Sequence, residues 1–206
     1  MDFHTLRFFK ICYISAAFRH KYRKIDKKTA IPPGALTSLL LEKDISRVTV
    51  RDVADLADVN RGTFYAHYSD VYDLLHQLED DLLRRLDDVG SRHNARQSDG
   101  KTFRYLTDLF TLASEYSDIF YTLYCRSGDS EFQDKIFNKL KYQYLYEFLS
   151  IFGGSESEKL DYCASFIVAG MCTLAKVWIE NGMRETPEEM ARLGGAFVMH
   201  GVEMLQ

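Results

Sequence analysis

The side chains best suited to chemistry in this sequence lie within one short stretch, RGTFYAHY, which begins at Arg61. The Arg61 guanidinium can pair bidentately with guanine, and the hydroxyl and methyl groups of Thr63 can reach a base edge or a phosphate. Tyr65 and His67 can donate hydrogen bonds to phosphate oxygens. A single tyrosine or histidine is more often an ordinary surface residue, but this ordered combination favours binding to a nucleic acid.

Two short helices joined by a turn would position these side chains, and the sequence predicts both. Thr49 is a good N-cap for a helix over Val50 to Ala57. A turn is expected at Asp58 to Asn60, followed by a second helix from Arg61 to Tyr68. In this geometry one helix enters the DNA major groove while the other crosses the backbone.

The helical pattern continues on both sides of this pair. Pro32 and Pro33 can open a preceding helix, because proline's missing N–H has no partner in a first turn. Phe64 and Tyr68 lie four residues apart on one face and should face the core. A long helix is predicted after a Ser69 cap, with a leucine stripe of Leu74, Leu75, Leu78 and Leu82.

The remainder of the chain also predicts helices and no useful strand pattern, so the fold class is all-α. Capping-box patterns start the last two helices at Ser155 and Thr186, and Asn181-Gly182 is a plausible stop between them. The predicted helices are 101–116, 117–126, 130–152, 155–181 and 187–205.

The charge distribution fits a nucleic-acid-binding N-terminal part, although it is weak evidence alone. Residues 1–70 hold 12 Lys+Arg and 8 Asp+Glu, whereas residues 71–206 hold 14 and 22. The four cysteines form no C-x-x-C pair, which indicates reduced thiols in a cytoplasmic protein rather than a zinc site or disulfides. No apolar run reaches the roughly 18 residues of a membrane span. Lys10 interrupts the apolar stretch Leu6 to Phe18, so residues 1–25 are interpreted as an irregular extension.

Catalytic and metal-binding patterns are missing from the sequence. It contains no P-loop, nucleophile elbow, H-E-x-x-H motif or pair of histidines at metal-ligand spacing. We therefore expect neither an enzyme nor a bound metal or cofactor.

The stretch VTVRDVADLADVNRGTFYAHYSDVYDLL resembles the DNA-binding domain of TetR/AcrR-type transcriptional regulators, from Leu36 to about Leu82. The most specific part is Gly62-Thr63-Phe64-Tyr65-x-His67-Tyr68. The resemblance implies that Arg51 and Arg61 lie nearest the bases, while Tyr65 and His67 hold phosphates. The implied DNA-binding positions are Thr49, Val50, Arg51, Asn60, Arg61, Thr63, Tyr65 and His67.

Three positions depart from the pattern of that family. Asp58 replaces a usual glycine, which is tolerable because Asp enters the left-handed region more readily than most residues. Val71 stands where a lysine commonly contacts phosphate, and Pro32-Pro33-Gly34 falls where the first helix is usually continuous. The last two departures motivate an alternative: a protein–protein interaction module, or co-regulator, that kept the fold and lost operator binding.

The C-terminal part resembles a subgroup of these regulators in which the last two helices form a homodimer. Core packing of Trp178, Phe166 and the small residues around Gly170 is the simpler interpretation, and both could hold. In the family, the aromatic-rich middle region walls an effector pocket, and a well-filled aromatic core is equally compatible with it. The pocket residues expected from this resemblance are Phe110, Tyr121, Tyr124 and Phe137.

Together these features predict a dimeric regulator that binds a double-stranded DNA operator. Its function would be repression released by an apolar or aromatic small-molecule effector, with no membrane partner. The predicted domains are an extension over 1–25, a helix-turn-helix domain over 26–80, and an effector-binding and dimerisation domain over 81–206.

Overall fold

The computed structural model describes residues 31–93, 101–126, 130–142 and 158–203. Within these ranges all regular secondary structure is helical and no strand occurs, which confirms the all-α prediction. The described chain divides into two compact units. The first holds residues 31–81 and 118–126, and the second holds 82–93, 101–117, 130–142 and 158–203. We call residues 31–81 the head and the second unit the body.

The head contains three short helices and the beginning of a long one. In chain order these are α1 (Pro33–Leu40), a 3₁₀ turn (Ile45–Arg47), α2 (Val50–Ala57), α3 (Arg61–Tyr65) and α4 (Val71–Arg92). The start of α1 confirms the proline signal, because Pro32 occupies the N-cap position and Pro33 the first helical position. There the absence of a proline N–H leaves no helical bond unmade.

Ten buried side chains from these helices and from the segments next to them form the core of the head. Phe64 is fully buried and its ring lies 5.5 Å from that of Tyr68, which confirms the inward face predicted for this pair. Burying each large apolar side chain contributes about 1.5–3 kcal/mol, before the conformational entropy it costs. The core residues are Ile31, Ala35, Leu36, Val48, Val53, Phe64, Tyr68, Val71, Leu74 and Leu78.

The start of α4 differs from the prediction by one residue. The Asp73 N–H donates a 2.8 Å hydrogen bond to Asp70 Oδ1, so Asp70 supplies the cap oxygen. Ser69 instead donates from its backbone N–H and its hydroxyl to Asp73 Oδ2, at 2.8 and 2.9 Å. The prediction that Ser69 caps α4 was therefore wrong. Asp is as good an N-cap as Ser, and Asp70 stands directly before the helix.

The body consists of the second part of α4 and four further helices. These are α5 (Lys101–Glu115), α7 (Ser130–Leu140), α8 (Glu158–Glu180) and α9 (Pro187–Glu203). Within the body α9 packs along α5, while α8 contacts α5, α7 and α9. The Phe110 ring meets the Trp178 ring edge-on at 5.6 Å, so these two aromatic side chains join α5 to α8.

Two predicted helices have a different form in the structure. Residues 117–126 form one α-helical turn, α6 (Ser117–Ile119), followed by a π-helical segment (Phe120–Arg126). Of the helix predicted over 130–152, residues Ser130–Leu140 form α7, and residues 143–152 lie outside the described ranges. A π-helical segment is rare and short, so the apolar spacing of one or two turns does not reveal it.

The connection between α8 and α9 follows the predicted stop and start signals. Gly182 has a φ of 86° and Met183 one of 49°, so the chain turns through the left-handed region after Glu180. The Thr186 N–H donates to Glu189 Oε2 at 2.8 Å, and the Glu189 N–H donates to Thr186 Oγ1 at 3.2 Å. This reciprocal pair confirms the capping box. The Ser155 box lies outside the described residues.

Helix α8 carries an apolar face that the described residues leave uncovered. Trp178 is buried as predicted and Ile167 is buried beside it on the helix, but Phe166 is 80% exposed and Gly170 is also exposed. Their assignment to the core was wrong, because periodicity shows that a face is apolar without showing what covers it. The stretch Asp161–Glu180 is long and apolar enough to cross a membrane, and less than half of it is buried. One such helix is weak evidence, since core helices meet the same criterion.

Candidate nucleic-acid interface

The start of α2 is fixed by a capping box between Thr49 and Asp52. The Asp52 N–H donates to Thr49 Oγ1 at 3.2 Å, and the Thr49 N–H donates to Asp52 Oδ2 at 2.8 Å. The Thr49 hydroxyl also donates to Asp52 Oδ2 at 2.8 Å. The predicted N-cap is confirmed, and the Thr49 hydroxyl proton is engaged inside the head rather than directed at a ligand.

Asp52 also holds the segment that leads into α2. Its Oδ2 accepts a hydrogen bond from Lys43 Nζ at 2.8 Å. This bond, followed by the hydrogen bonds from the Thr49 backbone and hydroxyl, lowers the pKa of Asp52 to about 2. Since the ammonium and the N–H groups stabilise only the charged carboxylate, the pair favours the folded head at neutral pH.

The turn between α2 and α3 depends on Asp58. This residue has φ 56° and ψ 45°, in the left-handed region where the related pattern has glycine. The next residue, Val59, donates from its N–H to Ala54 O at 3.0 Å and so closes the end of α2. Asp adopts this conformation at a modest cost, as the sequence predicted.

Asn60 is the N-cap of α3. Its Oδ1 accepts from the Thr63 N–H at 2.7 Å and from the Thr63 hydroxyl at 3.2 Å. A Cβ atom on Gly62 would lie 3.0 Å from the same oxygen, so glycine leaves room for the cap. Asn60 thus positions α3 through its carbonyl oxygen, while its amide group makes no hydrogen bond to a described residue.

The exposed face of α3 carries the predicted contact residues. Arg61 and His67 are exposed, Thr63 is partly buried, and Tyr65 is 59% exposed. The Tyr65 ring packs edge-on against Phe64 at a centroid distance of 5.6 Å, which restrains the ring next to the core. The role of the predicted contact residues in binding DNA stays a prediction.

Helix α3 is shorter than the eight residues predicted. It ends at Tyr65, with Ala66 as C-cap. The His67 N–H then bonds to Phe64 O at 3.0 Å and the Tyr68 N–H to the same oxygen at 2.9 Å. The last turn is therefore tighter than an α-helix, and His67 stands on the turn after the helix rather than within it.

Helix α2 carries two further predicted contact residues, Val50 and Arg51. Arg51 Nε lies 3.4 Å from Asp55 Oδ2, and both side chains are exposed. Exposed pairs of this kind contribute about 0–1 kcal/mol, so Arg51 can exchange its carboxylate for a phosphate at little cost. Val50 is partly buried and packs against the head core, which makes it a support residue rather than an exposed contact.

The burial of Val71 accounts for the absence of the lysine that the TetR/AcrR-type pattern commonly has at this position. Its side chain is 5% exposed and belongs to the head core, so a charged group at this position would be buried. The start of α4 carries carboxylates instead of a lysine. Hydrogen bonds from the Ser69 N–H, Gln77 and the Ser69 hydroxyl, in that order, hold the pKa of Asp73 below its ordinary value.

The four predicted effector residues lie in different units. Phe110 and Phe137 belong to the body, and Phe110 is buried against Trp178. Tyr121 and Tyr124 belong to the π-helical segment of the first unit, where Tyr124 stacks on Phe120 at 4.9 Å. The effector pocket thus stays a prediction.

One buried contact of the first unit has no signal in the sequence. The Thr37 hydroxyl in α1 donates a 3.2 Å hydrogen bond to Asp118 Oδ2, across 81 residues of sequence. Close by in sequence, Thr122 has a buried hydroxyl with no hydrogen-bond partner in the described part of the chain. Sequence patterns report neighbours along a helix, so they could not reveal this long-range pair.

Comparison with known proteins places family matches on both units. Residues 35–78 match the family described as bacterial regulatory proteins, tetR family. Residues 101–199 match a family described as a transcriptional regulator C-terminal region. A search among curated proteins gave no match.

Several solved structures share the fold. A fatty acid degradation regulator, FadR, from Bacillus halodurans is 15% identical with a TM-score of 0.61, covering 80% of this chain and 90% of its own. A TetR transcriptional regulator from Streptococcus agalactiae is 23% identical with a TM-score of 0.53, covering 95% and 98%. FadR from Bacillus subtilis, in complex with stearoyl-CoA, is 15% identical with a TM-score of 0.61, covering 81% and 95%. At these identities the likeness shows the fold alone.

Proposed function

The chain belongs to the TetR family of transcriptional regulators, and from that premise we propose that it is a dimeric repressor of a near-palindromic DNA operator. The observation that carries the proposal is the exposure of Arg61 and Tyr65 on α3, which Phe64 anchors in the core, together with the exposure of His67 on the turn that follows. Regulators of this family are generally transcription factors rather than enzymes.

Some residues of α2 and α3 bind base edges, and others bind phosphates. Arg61 reads a base edge, where a bidentate pair with guanine provides about 1–3 kcal/mol of discrimination. Tyr65 and His67 donate to phosphates, and Arg51 leaves Asp55 to join them. Asn60 and Thr49 act mainly by fixing the starts of α3 and α2.

A second copy of the chain is the proposed partner of the uncovered face of the last two helices. Exposed apolar side chains stand on α8 and on α9, spaced so that they recur on one side of each helix. Two such faces related by a two-fold axis can form a four-helix bundle. The residues concerned are Tyr162, Phe166 and Val177 on α8, and Leu193 and Phe197 on α9.

An effector bound in the body would release the operator by changing the separation of the two heads. A ligand can do so only if it binds one conformation more tightly than the other. The sequence favours an apolar or aromatic ligand near Phe110 and Phe137. One structurally similar regulator is known in complex with stearoyl-CoA, so a long-chain acyl-CoA is the first compound to test.

Selection of duplexes from a random DNA pool by the purified chain tests this proposal. We expect an inverted repeat whose half-sites lie about 10 base pairs apart or at a multiple of one helical turn. Arg61→Ala should still retain DNA but lose the preference at one position of each half-site. Recovery of no enriched sequence, or an enriched sequence unaffected by Arg61→Ala, would contradict the proposal.

A further inference from the structure

The folded head is acidic, which is unexpected for a domain that binds DNA. Residues 31–81 hold 4 Lys+Arg and 10 Asp+Glu, a formal net charge of −6. Proteins that bind duplex DNA gain much of their affinity from cations that neutralise phosphates and release counterions. Each cation of the head that is able to reach a phosphate therefore matters more than it would on a basic surface.

Two of these four cations are already engaged within the head. Lys43 is bonded to Asp52 at 2.8 Å, and Arg51 lies 3.4 Å from a carboxylate one turn further along α2. Among the Lys and Arg side chains of residues 31–81, only Arg47 and Arg61 form no ion pair. Arg61 is the proposed base contact, so Arg47 is the one unpaired cation of the head that has no assigned role.

Arg47 is the last residue of the 3₁₀ turn that leads into α2. Its N–H donates to Asp44 O at 2.9 Å, and the Val48 N–H donates to Ile45 O at 3.0 Å, so hydrogen bonds hold the backbone here. The Arg47 side chain is exposed, whereas Val48 is 7% exposed and belongs to the head core. The backbone of Arg47 is thus anchored through its neighbour, while its guanidinium faces solvent.

Arg47 lies on the same side of the chain as the N-cap of α2, Thr49. Between them Val48 has the extended conformation, with φ −83° and ψ 129°. The two neighbours of an extended residue point to the side opposite its own side chain, and Val48 points into the core. The Cα atoms of Arg47 and Thr49 are at most about 7 Å apart. The guanidinium therefore lies beside the start of α2, the helix that crosses the DNA backbone in a helix-turn-helix.

We propose that Arg47 binds a phosphate of the operator backbone and supplies a large share of the electrostatic affinity of the head. The inference rests on the proposed function and deepens it. Arg61 selects the sequence, whereas Arg47 holds any duplex. A guanidinium can offer a phosphate two parallel N–H donors, and Arg47 has no ion pair to give up first. Loss of Arg47 should therefore weaken specific and non-specific binding by similar factors, unlike loss of Arg61.

The test measures the salt dependence of binding for three charge variants of the full chain. Arg47→Gln removes the charge at the proposed contact. Arg104→Gln, which alters an exposed arginine of the body, is the matched control. The double variant Asp44→Asn with Arg47→Gln restores the net charge of the chain but leaves position 47 neutral. The Asp44 side chain makes no capping hydrogen bond that this change would break.

Binding to the selected operator and to an unrelated duplex is measured by fluorescence anisotropy at several salt concentrations. The slope of log K against log salt should become shallower by about 0.9 for each phosphate that Arg47→Gln no longer neutralises, which is about 1.8 for a dimer. The double variant should show the same shallow slope, and Arg104→Gln should keep the slope of the unsubstituted chain. Arg47→Lys should restore the slope, because an ammonium also neutralises a phosphate. Circular dichroism checks that helix content and melting temperature are unchanged.

The outcomes separate this inference from the proposed function. If the unsubstituted chain binds the operator with an Arg61-dependent preference, but Arg47→Gln keeps its slope, only the Arg47 inference is wrong. A slope that the double variant recovers would also overturn it, since the net charge of the chain rather than a contact at position 47 would then set the slope. If the unsubstituted chain binds neither duplex at low salt, both proposals are wrong. A shallow slope in both variants that lack Arg47, with sequence preference retained, supports both.

Discussion

The Thr37 hydroxyl donates a hydrogen bond to the Asp118 carboxylate at 3.2 Å, and both residues are almost fully buried. The contact joins α1 to residues 118–126, which belong to the same compact unit as the head. The same hydroxyl lies 3.3 Å from Pro33 O, but a hydroxyl has one proton and cannot donate to both acceptors at once. We assign the hydroxyl proton to Asp118 Oδ2 because that contact is the shorter of the two, so α1 and Asp118 are directly coupled.

Thr37→Val should destabilise the chain by about 1–3 kcal/mol, because it removes one donor from a buried acceptor. Asp118→Asn should weaken the same contact. A double-mutant cycle measured by urea denaturation should give a coupling free energy of about 1 kcal/mol or more. The pair Thr63→Val and Asp118→Asn is the control, since Thr63 bonds to Asn60 and not to Asp118. A coupling energy near zero for Thr37 and Asp118 would contradict the contact.

Asp52 should give the head a pH-dependent stability between about pH 4 and pH 2. Its folded pKa is lowered to about 2, against an unfolded value of about 3.9. The stabilisation is complete above the unfolded pKa and is lost as pH falls towards the folded pKa. The measurement is the difference in urea midpoint between the unsubstituted chain and Asp52→Asn at each pH.

This difference should shrink as pH falls through that window. Asp55→Asn is the matched control, because it removes an exposed carboxylate from the same helix without touching Lys43. A constant difference between the unsubstituted chain and Asp52→Asn would show that the Lys43 contact does not form in solution.

Asn60 should act on stability through its side-chain oxygen, which caps α3, and on DNA affinity through its neutral amide group. Asn60→Ala removes the cap of α3 and should cost about 1 kcal/mol of stability, with a loss of operator affinity. Asn60→Asp keeps an oxygen for the Thr63 N–H and should retain stability. Its negative charge should still reduce operator affinity. Equal stability of Asn60→Ala and the unsubstituted chain would disprove the capping role.

Phe166→Glu and Phe197→Glu should each convert the chain to a monomer. Both side chains are exposed, so a charge costs the isolated chain little, whereas a dimer would have to bury it. Sedimentation velocity measures the change, and affinity for the inverted repeat should fall in parallel. Leu56→Glu, which alters an exposed apolar residue of the head, should leave the sedimentation coefficient unchanged. A Phe166→Glu chain that remains dimeric would place the interface elsewhere.

Substitutions at Gly170 should separate effects on the stability of a single chain from effects on its dimerisation. A Cβ atom at this position meets no atom within 4 Å, so Gly170→Ala should stabilise the helix by up to about 1 kcal/mol. Gly170→Trp should leave helix content unchanged and prevent a second helix from approaching closely. Gly194→Ala is the contrasting case, because its Cβ would lie 2.6 Å from Met171 Cε within the same chain. If the Gly170→Trp chain formed a dimer with unchanged dimerisation affinity, a second helix would not approach α8 closely at this glycine.

The local features of the head were predictable because each depends on residues close in sequence. Thr49, Pro33 and the pair Phe64 and Tyr68 behave as the patterns predicted. The end of α3 was not predictable, since the apolar spacing continues to Tyr68 although the helix stops at Tyr65. The exposure of Phe166 was missed because an apolar helix face has the same sequence pattern whether its own chain or another covers it.

Helix α3 contains five residues, which corresponds to a length of about 7.5 Å at 1.5 Å per residue. Along duplex DNA, with about 3.4 Å per base pair, that length matches little more than two base-pair steps. One half-site therefore specifies few base pairs. That is too few to distinguish it from the roughly 10⁶ or more competing sites that a genome offers. The spacing and orientation of half-sites must then carry a large share of the information that defines a unique promoter.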